Sequence, residues 1–290
     1  MMKPTESNNL NESKKIWRLV VSDLDGTLLD DQNKVSSDNQ AAVAELASRN
    51  IGFTLATGRP DLMTRTYVRQ LGVRFPVIAC NGAIIRDCSS EAILYRQNLL
   101  PEDTLALIQW LTGKQLDFLC YTPEGVYFPS HSKRIGKFYR YNLDAAQSGV
   151  RPVPTGELEG QEIRLAEEGL LKIMVWVPGL ENYHAVQAML EHMPNCVGIY
   201  SMGDAMDINF AGISKGSGLR KLAEILQIKA SEIVAIGDND NDIPLVSQAG
   251  LGIAMGNATP ALKAACSRVT TSNTESGLAE AIRRHILFTK

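Results

Sequence analysis

No apolar run in the 290-residue chain approaches the roughly 20 residues that a membrane-spanning helix requires. Basic charge is not in excess either. Lys plus Arg number 29 against 32 Asp plus Glu, a formal net charge of −3, which speaks against a nucleic-acid partner or an anionic membrane surface. Cysteine is sparse: Cys80, Cys88, Cys120, Cys196 and Cys266 are odd in number, scattered and without a C-x-x-C pair. That usage argues for free thiols in a reducing, cytoplasmic setting. The four histidines, His131, His184, His192 and His285, have no metal-ligand spacing, which argues against a structural zinc site. The opening MMKPTESNNLNESKK lacks the apolar core of a secretory signal, and residues 1–14 read as a solvated tail. There is no Walker loop and no G-x-G-x-x-G after the first strand, which disfavours a P-loop NTPase and a dinucleotide dehydrogenase.

What is present is ordinary for a globular chain: 44% hydrophobic and 21% charged residues, in a length suited to about two domains. The run from Ile16 to Val21 reads as a buried strand that ends at Ser22-Asp23 and turns at Asp25-Gly26. Ser36-Ser37-Asp38 caps a helix with Ala42, Val43, Leu46 and Ala47 on one face, stopped between Asn50 and Gly52. A second strand, Phe53 to Ala56, leads into Thr57-Gly58-Arg59-Pro60, with Pro60 opening another helix. A third strand, Val77 to Cys80, ends at Asn81-Gly82. The C-terminal part repeats this grammar with a helix from Ser214-Lys215, a strand Ile233 to Ile236, a helix Ile243 to Gln248 and a strand Leu251 to Ala254.

Alternating strands and helices predict an α/β fold, a Rossmann-like parallel sheet with helices on both faces. Residues 87–199 read differently. Short strands at Asp117 to Tyr121, Gly125 to Phe128 and Leu170 to Val177 interleave with helices at Thr104 to Leu111 and Glu181 to Met193, and Ser148 to Glu168 reads as irregular. The expected organisation is a core of residues 1–86 and 200–290, interrupted by an inserted α+β domain at 87–199.

Four segments carry chemistry, each at a strand's carboxyl end or a helix start, where open α/β sheets bind ligands. They are Asp23-Leu24-Asp25-Gly26-Thr27, Thr57-Gly58-Arg59, Ile213-Ser214-Lys215-Gly216 and Gly237-Asp238-Asn239-Asp240-Asn241-Asp242. Phosphate monoester hydrolysis needs such a combination, because its barrier must fall by on the order of 20 kcal/mol. Asp23 is suited to attack phosphorus. Asp25, brought round by the turn at Gly26, is suited to protonate the leaving oxygen and later to take a proton from water. Two acids so close couple, which keeps one protonated near neutral pH. Mg²⁺ suits the carboxylates, with Asp23, Asp238 and the Asp25 backbone carbonyl as ligands. Leu24, the Thr57 hydroxyl, the Gly58 N–H, the Lys215 ammonium and the Asn241 amide are the candidate phosphoryl contacts, and Asp242 would brace Lys215 or the metal's waters.

These segments resemble the haloacid dehalogenase (HAD) phosphatase superfamily. The resemblance implies that Asp23 is the nucleophile and Asp25 the acid/base, with Thr57, Lys215 and Asp238 completing a magnesium site. Asn81-Gly82-Ala83, the G-x-S-K-G-like surroundings of Lys215 and the G-D-x-x-N-D form around Asn241 are similar to the Cof-type branch, subclass IIB. Members of that branch mostly dephosphorylate small metabolites such as sugar phosphates, nucleotides or pyridoxal phosphate. The space between Asp25 and Thr57 is too short for a cap domain, whereas an insertion after the third strand is where a type II cap belongs. The resemblance thus implies a cytoplasmic Mg²⁺-dependent phosphatase, monomer or homodimer, with an aspartyl-phosphate intermediate and a small phosphorylated metabolite as partner.

The competing readings are a phosphomutase or phosphotransferase on the same scaffold, a receiver-type phospho-acceptor, and a non-catalytic phospho-ligand-binding protein. A receiver would need its acceptor Asp where Asn81 stands. A calcium loop over Asp238 to Asp242 fails, since its sixth position is Ile243 and its twelfth Ala249. In the insertion, Tyr121, His131, Arg134, Lys137 and Arg140 are candidates for substrate contact, although such a stretch is more often a solvated face beside a packed stripe. Cys80, next to Asn81, is expected near the site as a bystander, and Met189 and Met193 as packing.

Overall fold

A computed structural model describes residues 17–288; the tail at 1–14 and Ile16 lie outside the described residues. In chain order the strands are β1 (Leu19–Ser22), β2 (Gly52–Leu55), β3 (Val77–Ala79), β4 (Ile84–Arg86), β5 (Ile93–Arg96), β6 (Phe118–Tyr121), β7 (Val126–Phe128), β8 (Thr155–Glu157), β9 (Lys172–Trp176), β10 (Cys196–Met202), β11 (Ala205–Phe210), β12 (Ile233–Gly237), β13 (Leu251–Ala254) and β14 (Arg268–Val269). The helices are α1 (Ser37–Ser48), α2 (Arg65–Leu71), α3 (Pro101–Gly113), α4 (Gly136–Gln147), α5 (Glu162–Glu168), α6 (Gly179–Glu191), α7 (Lys215–Leu226), α8 (Ile243–Gln248), α9 (Pro260–Ala265) and α10 (Gly277–Ile282).

β1 lies at the heart of a parallel sheet ordered β14-β13-β12-β1-β2, and all four of its residues are buried. A strand covered on both faces is apolar throughout rather than alternating, which is why Leu19-Val20-Val21 reads as a continuous run. The carboxyl ends of β1, β2 and β12 therefore stand side by side, and the loops leaving them carry Asp23, Thr57 and Asp238 to one rim. Beyond β2, a parallel bridge from Ala56 to Ile78 brings up β3, which starts an antiparallel β3-β4-β5 sheet.

A second, six-stranded sheet runs β10-β11-β9-β6-β7-β8. One face, with Phe118, Cys120, Ile173, Val175, Met206 and Ile208, packs on α3 and α6. The other carries Leu119, Tyr121 and Trp176, and meets Phe138 and Tyr141 of α4 together with Leu62 and Met63 from the loop after β2. The second sheet thus lies over the rim of the first. β4 and β5 pair with β3, while the hairpin β10–β11 pairs with β9.

The stretch expected to be irregular, Ser148 to Glu168, contains β8 and α5 instead. Its Gly, Pro and acid content masked a single helical turn pattern, in which Leu165 and Ala166 face inward and Arg164 pairs with Glu168 one turn on. Pro60 precedes a 3₁₀ turn, Asp61–Thr64, before α2 begins.

Candidate active site

Asp23 follows β1 directly. Its backbone N–H donates to Ile236 C=O of β12 at 2.9 Å, and the residue is 4% exposed. The chain then turns sharply, with the N–H groups of Leu28 and Leu29 both donating to Leu24 C=O. Gly26 sits at φ +77°, and a Cβ on it would fall 2.4 Å from Asp238 Oδ2, so conformation and space both demand glycine. The turn also aims Thr27, whose hydroxyl donates to Asp238 Oδ1 at 2.9 Å.

Lys215 opens α7, which is fixed by a capping box between Ser214 and Ser217. Its ammonium, 2% exposed, donates to Asp23 Oδ1 and to Asp242 Oδ1, each at 2.6 Å. Asp242 is fully buried, and its second oxygen accepts from the N–H groups of Asp238 and Asn239 at 3.1 Å. It therefore braces Lys215 and the Asp238 turn together. Lys215 approaches this closely because Gly82 at φ +104° has no side chain; a Cβ there would lie 2.2 Å from Ser214 O.

Ligand atoms of Asp23, Asp238 and Asp242 lie within 4.8 Å of one another, and Asp23 and Asp242 share the Lys215 ammonium. Burial, then the neighbouring Asp242, pushes the Asp23 carboxyl well above the ordinary carboxylate range, against the pull of Lys215. Burial and Asp242 likewise push Asp238 up to about 6, where hydrogen bonding to Thr27 and Asp23 partly offsets them. Burial alone would lower Lys215, but Asp23 and Asp242 outweigh it and hold the ammonium charged. The cluster has more carboxylate than it can ionise without a proton or a cation. Its all-oxygen donors suit a hard divalent ion, with Asp23 and Asp238 as the side chains able to ligate.

The Asp25 carboxylate lies outside the acid cluster and is held by the Arg59 guanidinium, with Nε 2.8 Å from Oδ2 and Nη2 on Oδ1. Arg59 also donates to Asn33 Oδ1 at 2.9 Å and lies over the Tyr67 ring. The charge of Asp25 is paired with a bidentate guanidinium, and Asp25 contributes least among the groups that raise Asp23. Nothing in the Thr57-Gly58-Arg59 pattern by itself gives Arg59 this task. The same holds for Thr27, whose link to Asp238 spans 211 positions.

Thr57 is buried, and its Oγ1 accepts from Arg59 N–H at 3.0 Å. Gly58 leaves room for the side chains of Asn81 and Asp207, at 2.9 and 3.5 Å from where a Cβ would stand. Asn241 reaches Asn81 Oδ1 at 3.5 Å, and its own Oδ1 is buried without a partner. Leu24 is fully buried beneath the turn. Lys172, Asp207 and Asn209, all buried at this junction, escaped the sequence reading, since a lone Lys or Asp in a strand carries no pattern. Of the expected contacts from the insertion, Lys137 and Arg140 are exposed on α4, Arg134 lies over Trp176 beside Asp204, and Tyr121 is buried under Lys172. Cys80 is buried and held protonated by that burial.

The fold and this rim of acids around one lysine define a class: α/β enzymes that combine a strand-end carboxylate, a lysine and a metal-competent acid cluster. The profile of the haloacid dehalogenase-like hydrolases matches residues 20–282, and the chain belongs to that family, in its Cof-type branch. The chain is 27% identical over 287 residues to phosphatase YwpJ of Bacillus subtilis, covering 93% of this chain and all of that one. It is 28% identical over 275 residues to pyridoxal phosphate phosphatase YbhA of Escherichia coli, covering 93% and 99%. A haloacid dehalogenase-like hydrolase structure from B. subtilis superposes with TM-score 0.79 at 25% identity, over 93% of this chain and 99% of that one. Among the described residues no helix is long and apolar enough to cross a membrane.

Proposed function

We propose that this enzyme is a Mg²⁺-dependent phosphatase of small phosphorylated metabolites, working through an aspartyl phosphate on Asp23. One observation carries the reading: a buried Asp23 carboxyl lies 2.6 Å from Lys215, inside an acid cluster that includes Asp238. In the first step an Asp23 oxygen bonds to phosphorus and the P–O bond to the leaving group breaks. Asp25 supplies the proton that the departing alkoxide needs. In the second step Asp25 takes a proton from water, which attacks phosphorus and frees Asp23. The Lys215 ammonium, the Thr57 hydroxyl, the Leu24 and Gly58 N–H groups and the Asn241 amide face the phosphoryl oxygens as their charge grows. Mg²⁺, when bound by Asp23, Asp238 and the Asp25 carbonyl, supplies charge neutralisation on the phosphoryl oxygens.

The second sheet covers this rim, so substrate choice falls to the inserted unit, and the E. coli relative's name puts pyridoxal phosphate on the panel beside sugar phosphates and nucleotides. Purified protein is expected to hydrolyse p-nitrophenyl phosphate with Mg²⁺ and to lose that activity in Asp23→Asn. Full turnover by that variant overturns the reading.

A further inference from the structure

A buried ion pair belonging to the inserted unit meets the phosphate-facing loop of the core. Lys172, the first residue of β9, is 2% exposed, and its ammonium donates to Asp207 Oδ1 at 2.6 Å. Asp207 on the neighbouring strand β11 is 1% exposed. Lys172 spends a second hydrogen on Gly58 C=O at 2.8 Å, and its charge lies 4.7 Å from the centre of the Tyr121 ring. The second carboxylate oxygen of Asp207 accepts from Asn81 Nδ2 at 2.8 Å. Asn81 Nδ2 also reaches Asn209 Oδ1 at 3.2 Å, and Asn209 in turn donates to Cys80 C=O at 3.1 Å.

Burying two charges is costly and is not by itself a route to stability. This pair, however, is joined to the two peptide units that flank Gly58. The Gly58–Arg59 peptide is held by its carbonyl through Lys172, and the Thr57–Gly58 peptide by its carbonyl through Asn81 N–H at 3.0 Å. A peptide is planar, so fixing the Thr57 carbonyl also fixes the direction of the Gly58 N–H on the opposite side of the same plane. Asn81 is in the left-handed region, φ 58°, directly after Cys80 at φ 49°. Two such non-glycine residues in succession persist only when their surroundings hold them. The bonds from Asp207 and Asn209 supply that restraint.

We infer that Lys172 and Asp207 are positioning residues: through Gly58 C=O and Asn81 they aim the Gly58 N–H at the phosphoryl group, so that the inserted unit sets the geometry of the phosphate loop. This rests on the phosphatase reading above. Neither residue touches the phosphoryl group; each acts through the loop.

The test compares wild type with Lys172→Met and with the paired Lys172→Met/Asp207→Leu, which removes both charges and leaves no unpaired ion in the interior. Melting temperature, inorganic phosphate affinity by calorimetry with Mg²⁺, and aryl phosphate kinetics are read on each. Lys172→Met is expected to weaken phosphate binding about tenfold or more and to lower kcat about 10²-fold. The paired variant is expected to regain the melting temperature but not the phosphate affinity or kcat. Recovery of all three in the paired variant, or wild-type phosphate affinity in Lys172→Met, overturns the inference, because a purely structural pair would behave so. If Lys172→Met does not fold, the paired variant decides on the same criteria. Failure of the wild type to hydrolyse or bind phosphate overturns the phosphatase reading itself, and this inference with it.

Discussion

Arg59 holds Asp25 through both ends of its guanidinium, so the expected acid/base carboxylate faces a cation instead of Asp23. Burial alone would lower Arg59, but Asp25 and Tyr67 outweigh it and hold the guanidinium charged. On the proposed mechanism, proton delivery by Asp25 requires its carboxyl to leave Arg59 when substrate arrives.

Removing that proton donor should matter most where the leaving group needs it most. Asp25→Asn is expected to lower kcat on an alkyl phosphate by about 10²- to 10⁴-fold. The loss on p-nitrophenyl phosphate should be smaller, because a phenolate of low basicity departs without help. Equal losses on the two substrates, measured side by side at saturating Mg²⁺, would count against Asp25 as the acid.

The acid cluster makes the metal-free protein pH-sensitive in a defined direction. Asp238 is raised from its ordinary 3.8 to about 6, so between these values the folded chain keeps a proton that the unfolded chain has lost. Stability then falls as pH rises through that window, and the raised Asp23 acts in the same direction. Thermal melts in chelator at pH 4.5, 5.5 and 6.5 should show the decline, and added Mg²⁺ should reverse it increasingly toward pH 6.5. Asp238→Asn should flatten the chelator curve and abolish the metal's effect.

Lys215 is the counter-charge that lets Asp23 and Asp242 stay buried. Lys215→Met leaves those carboxylates uncompensated, which should cost about 3–5 kcal/mol at pH 8. The deficit should shrink at pH 5, where the raised Asp23 carboxyl can take up a proton instead. A deficit that is the same at both pH values in denaturant titrations would show that the ammonium is not what keeps the acids charged.

The parallel core was legible because its strands are buried on both faces and its helices are capped. Leu19-Val20-Val21, Ser36 ahead of α1 and the Ser214 cap of α7 all announce themselves within a few residues. The candidate site residues Asp23, Thr57, Lys215, Asp238 and Asp242 stand out in the sequence too, since each follows a strand or begins a helix in a short pattern. α5 does not, because one buried turn of Leu165 and Ala166 is too brief to show periodicity among glycines and acids.

The amino-acid order alone decided that acids, a lysine and tight glycine turns would stand at strand ends, because local hydrogen bonding and steric freedom act over a handful of residues. Three-dimensional packing decided the partners: Thr27 with Asp238, Arg59 with Asp25, and Lys172 with Asp207 and Gly58. Those pairings join positions from 34 to 211 residues apart, and they take effect only once burial removes water as the competing partner.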